Sequence, residues 1–128
     1  MKKITLLIAV FVLTTSIYAQ NGGGHRQTPE QRATAIHQKL DSAFKIAPRK
    51  LASLDTALTM LYKAQDARMK ELFSGEVRPD RETMMAERKK YSDSRDEMIK
   101  VILTPEQFEI WKDTIEPSMR PRRPIVGE

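Results

Sequence analysis

The chain has 128 residues, no cysteine, seven methionines and a formal net charge of +5. Without cysteine, disulfide stapling, thiol chemistry and lipoprotein-type anchoring are excluded, and the fold must hold by packing alone. The charge points away from nucleic acid. Between Thr28 and Ser118 there are 16 Lys/Arg and 16 Asp/Glu, so the excess lies at the ends, whereas a nucleic-acid binder concentrates basic groups on its folded surface.

The N-terminal segment 1–19 has the pattern of a secretory signal. Lys2 and Lys3 form a positive start, Ile4 to Leu13 is apolar, and Thr14 to Ala19 is a short stretch ending in a small residue. Cleavage after Ala19 leaves 109 residues beginning at Gln20, a length suited to one domain. An uncleaved anchor is the alternative, but the apolar run of ten residues is half of the roughly 20 that a span needs. The expected location is periplasmic or secreted, with no stable membrane insertion. Residues 20–27, with Gly22 to Gly24, read as a flexible lead, and 118–128 as a disordered tail rich in Pro and Arg.

Residues 28–117 read as helix throughout, because no run alternates with period two and β-branched residues are sparse. The first helix is expected from about Pro29 to Ile46, with Ala33, Ile36, Leu40, Ala43 and Phe44 on its apolar face. The second starts near Pro48, carries Leu51, Leu54, Leu58 and Leu61 at steps of three and four, and runs through Met69 to Phe73, with Gly75 as the C′ residue. Pro79 is expected to open the third helix, whose stripe is Met84, Arg88, Tyr91, Arg95, Met98 and Ile102. A short fourth helix begins at Pro105, shows Phe108, Trp111 and Ile115 on one face, and is expected to stop at Pro117. Helices two and three form a long antiparallel hairpin with more apolar surface than one layer can bury, so a second copy is expected to cover part of it.

The segment Leu103-Thr104-Pro105-Glu106-Gln107 is a nearly complete helix start. Thr104 suits the N-cap and Gln107 the reciprocal position of a capping box. Pro105 suits N1, and Leu103 with Phe108 suits a hydrophobic staple. An upstream copy at Thr28-Pro29-Glu30-Gln31 keeps the capping box but has Gln27 and Arg32 at the staple positions. A weaker echo at Ile46-Ala47-Pro48 keeps the proline and the pair Ile46/Leu51 but loses the cap. In these segments the chain resembles the exported Spy/CpxP-like proteins, which carry LTxxQ motifs, usually two, at helix starts. Leu103 to Gln107 matches in full and Thr28 to Gln31 matches without the leading leucine. Either the Thr28 or the Ile46 segment could correspond to the first motif. The resemblance implies a four-helix all-α fold and a curved, cradle-like homodimer.

No catalytic constellation is present, so the chain does not read as an enzyme, and no cofactor is expected. His25 and His37 stand apart, and Asp41 four residues from His37 is too little for a metal site. The Gly22 to Gly24 run follows no strand and is no phosphate loop. Pairs such as Glu82/Glu87 and Asp93/Glu97 read as solvated helix faces. Arg88 and Arg95 in the third stripe have two readings: edge residues with packed stems and hydrated heads, or part of an adaptable binding face in which methionine repacks and arginine attracts. On the second reading Met84, Arg88, Tyr91, Arg95 and Met98 contact a partner, with Met69 and Phe73 as additions. The resemblance implies an ATP-independent chaperone that holds unfolded or misfolded envelope proteins under stress. An accessory subunit docking on the periplasmic domain of a sensor kinase in envelope-stress or metal-stress sensing is the rival, and a plain structural bundle is the third reading.

Overall fold

The structure is a computed structural model that describes residues 26–121. The signal pattern, most of the lead and the last seven residues lie outside the described part. Among the described residues the architecture is all-α. Helix α1 spans Pro29–Phe44, α2 Pro48–Phe73 and α3 Arg81–Ile102. A fourth rod is continuous but changes pitch: α4 (Pro105–Ile110), a π-helical turn (Trp111–Ile115) and α5 (Glu116–Met119).

Both capping boxes form. The Gln31 amide donates to Thr28 Oγ1 at 3.1 Å while the Thr28 amide donates to Gln31 Oε1 at 2.9 Å. The same pair at Thr104 and Gln107 measures 3.2 and 3.0 Å. Ala47 supplies no side-chain cap, so α2 starts on its N1 proline alone. Leu103 has extended backbone angles between α3 and α4 and belongs to the core cluster, against which the half-buried Phe108 packs. Thr104→Ala removes one of these caps and should lower stability by about 1 kcal/mol, read as a shifted urea midpoint with unchanged slope.

Three helix ends differ from the sequence expectation. Helix α1 stops at Phe44 because Lys45 adopts left-handed angles (φ 51°, ψ 53°) and its N–H returns to the Asp41 carbonyl. Helix α3 opens at Arg81 and not at Pro79, because Asp80 takes the N-cap and its side chain accepts the Thr83 amide at 2.7 Å. Pro117 does not stop the fourth rod. In an α-helix its ring would press on the carbonyl four residues back, but the Glu116 N–H reaches Trp111 instead, and this wider turn admits the ring one residue later.

The core sits at one end of the molecule. Ala33, Ile36 and Leu40 of α1 pack with Leu51, Leu54, Leu58 and Tyr62 of α2, with Ile99 and Leu103, and with Trp111 and Ile115 of the fourth rod. Leu61 is only half-buried and Tyr62 takes its expected place, while Ala43 is exposed. The other end has no such core: from Lys63 to Arg95 no residue is buried. The outer half of the α2–α3 hairpin is therefore an arm without a core of its own, touched at its base by α1, where Glu30 pairs with Lys63 and Arg32 with Asp66.

Candidate functional site

The arm carries a trough along α3. At its tip, Phe73 of α2 faces Arg78, Arg81, Met84, Met85 and Arg88 around a groove of about 440 Å³. A second groove of about 370 Å³ adds Met69, Arg26 from the segment before α1 and Arg32 from its first turns. A third, about 760 Å³, continues between α3 and the fourth rod past Ser92, Arg95 and Trp111 to Met119 and Pro121. Arg88 lies in the wall of all three, so the grooves adjoin at its side chain.

The apolar floor is open. Phe73 is 45% exposed and Met85 57%, and Met69 and Met84 are half-buried. Methionine is unbranched and polarizable and repacks against varied shapes at little cost. The wall is cationic. Among the described residues Arg26, Arg78, Arg81 and Arg88 make no ion pair, whereas the acids lining the grooves, Asp66 and Glu116, are both neutralised. Arg32 pairs with Asp66 at 2.7 Å and lies over the Tyr62 ring at 4.4 Å, where burial raises the Tyr62 pKa. Arg68 clamps the two arm helices by bridging Glu71 and Glu87. Glu87 is thus an interhelical partner and not a solvated carboxylate.

Of the residues expected to act together, the structure assembles Met69, Phe73, Met84 and Arg88. Tyr91 is half-buried with its hydroxyl 3.5 Å from the Ala64 carbonyl, and Met98 packs on the core. Arg95 differs from both readings of the third stripe, since its head lines the third groove but is tied up in ion pairs within the fold. Its Nε and Nη2 donate to Asp96 Oδ1 at 3.1 and 2.9 Å, Nη2 lies 3.2 Å from Glu116, and the guanidinium sits 5.5 Å from the Trp111 ring centroid.

Arg95 belongs to a buried network that anchors the fourth rod. Asp96 is its hub, accepting the Trp111 indole N–H at 3.2 Å and Lys112 Nζ at 2.7 Å besides Arg95. Lys112 also donates to Glu116 at 2.8 Å, and Arg120 donates to Glu116 at 3.0 Å. Burial alone would raise the Glu116 pKa. Hydrogen bonds from Lys112 and Arg120 and the charge of Arg95 outweigh it and hold the carboxyl at about 2. Asp96 was not singled out by the sequence, although it shares a face with Ile99 and Leu103 at steps of three and four.

His37 pairs through Nδ1 with Asp55 Oδ2 at 2.7 Å, across to α2, and not with Asp41. Among the described residues no three His, Cys, Asp or Glu side chains are placed to hold a metal. No described helix is long and apolar enough to cross a membrane. Compared with protein-family models, curated proteins and solved structures, the chain finds no match in any of the three.

Proposed function

We propose that this protein is an exported, ATP-independent chaperone that holds unfolded or misfolded envelope proteins on the Arg/Met trough of its α2–α3 arm. One observation carries the reading: a segment without a core of its own, from Lys63 to Arg95, keeps Met69, Phe73, Met84 and Met85 accessible beside arginines that have no acidic partner among the described residues. Such a face suits low-specificity capture. Flexible apolar groups accept many shapes, and long-range charge raises encounter rates without fixing a register. The grooves are shallow and open, which suits a chain segment better than a small molecule enclosed on most sides. The likeness of Leu103 to Gln107 and Thr28 to Gln31 to the motifs of Spy/CpxP-like proteins supports the same reading and, with it, a homodimer.

Purified protein at near-stoichiometric ratio should suppress light scattering by several unrelated denatured clients without nucleotide. Static light scattering of the protein alone should give twice the chain mass. Arg88→Glu combined with Met84→Ser should abolish suppression with little change in stability, because Arg88 is exposed and Met84 lies outside the core. Failure with every client would remove the chaperone reading and favour an accessory subunit that binds one folded sensor domain.

A further inference from the structure

The charge pattern of the trough is more selective than general capture requires. Its walls contain arginines from three parts of the chain: Arg26 before α1, Arg78 in the turn, and Arg81 and Arg88 on α3. None of the four has an acidic partner among the described residues. The carboxylates in the walls are already consumed, Asp66 by Arg32 and Glu116 by Lys112, Arg95 and Arg120. Other basic groups of the arm divide: Arg68 holds Glu71 and Glu87 and Lys89 holds Asp93, while Lys70 and Lys90 make no ion pair among the described residues. Four unpaired arginines therefore stand around the apolar floor, with no free carboxylate in the groove walls to offset them.

We infer that the trough selects extended polypeptide segments in which apolar residues alternate with Asp or Glu. This deepens, and rests on, the chaperone reading above. The geometry sets the length. From Arg81 to Arg95 the trough follows α3 for about 21 Å at 1.5 Å per residue, the span of about six residues of extended chain. Alternate side chains of an extended segment point to opposite sides, so apolar groups can meet Met69, Phe73, Met84 and Met85 while carboxylates reach the arginine walls. Arginine presents a planar fork to a carboxylate and can take it in bidentate fashion, a geometry that an amide or an ammonium on the segment does not match. A lysine-bearing segment would bring like charge to four guanidinium groups and is disfavoured.

The test uses purified protein and three dye-labelled peptides of about eight residues, each alternating Leu or Phe with one polar type: Asp/Glu, Asn/Gln or Lys/Arg. Fluorescence anisotropy should give the acidic peptide the lowest Kd, with the basic one weaker by about tenfold or more, as a few exposed ion pairs together supply. The difference should shrink as salt rises. Arg81→Glu with Arg88→Glu should remove the preference, while Arg49→Glu, at the far end of α2, should leave it intact. Equal affinities for the three peptides, or an equal loss on Arg49→Glu, would overturn the inference. Tight binding to phosphatidylglycerol vesicles without discrimination among the peptides would also overturn it and assign the arginines to a lipid surface. If clients are protected but the peptides are not discriminated, this inference alone falls. If the peptides are discriminated but no client is protected, the chaperone reading falls and acidic-segment binding stands.

Discussion

Asp96→Ala is expected to destabilise the fold by about 3 kcal/mol, near the lower end of what breaking a buried charged group from its partners costs. One carboxylate satisfies three donors: the Trp111 indole N–H, Lys112 and Arg95. Alanine leaves the indole N–H of a fully buried tryptophan without an acceptor and the Arg95 guanidinium with one fewer counter-ion. Lys112 is 40% exposed and can turn to water, which keeps the loss from being larger. Urea denaturation should show the reduced stability, and Tm should fall by about 12–24 °C for a domain of this size. Asp96→Asn retains an acceptor for Trp111 and should lie between the two. In the Asp96→Ala background, Trp111→Phe should add less than in the parent, because the indole hydrogen bond is already gone. A loss below about 1 kcal/mol would mean that the network only decorates an apolar contact between α3 and the fourth rod.

The second large effect is acid sensitivity through Glu116. Its carboxyl is held at about 2 in the folded chain, below an ordinary value of 4.5. Because the folded value is the lower one, the stabilisation is fully present above about pH 5 and is lost progressively as pH falls from 4.5 toward 2. Each tenfold change in proton affinity is worth about 1.4 kcal/mol; discounted because Lys112 and Arg120 face water, the loss is on the order of 2–3 kcal/mol. Glu30 and Asp80, whose pKa values are lowered at helix N-termini, act in the same direction. Glu116→Gln isolates the effect. Its stability should lie below the parent's at pH 7, and the two curves should converge near pH 2. Parallel curves would show that Glu116 titrates normally.

The sequence carried the helices, their starts and the α1–α2 seam, because those signals are local. A threonine with glutamine three residues on, or leucines at steps of three and four, dictate a cap or a buried face wherever they occur. The α1 end was illegible for the opposite reason: Lys45 takes left-handed angles usually reserved for glycine or asparagine, and neither residue type stands there to signal them. The π turn that admits Pro117 is likewise a product of packing, since Trp111, Ile115 and Glu116 are all drawn inward. Within the site, Met69, Phe73, Met84 and Arg88 could be read because they recur on facing stripes. Arg95 could not, since its role depends on Asp96 and Glu116. An acid beside Asp93 and Glu97 looks solvated until a tryptophan from another helix is placed on it. The unpaired arginines were equally hidden: a pairing map of the arm requires knowing that Asp66 and Glu87 are already taken.

The methionines offer the most direct test of the account. With 13C-methyl-labelled methionine and a client that stays unfolded in buffer, the methyl resonances of Met69, Met84 and Met85 should shift or broaden on titration. Met60 should not. It is 67% exposed, more than any of the three, but lies nine residues from Met69 on the same helix and therefore on the opposite face. Perturbation confined to the three trough methionines is the result expected if non-native chain is held on the α2–α3 arm. Equal perturbation of Met60, or movement at Met98 in the core without any at Met84 and Met85, would contradict it.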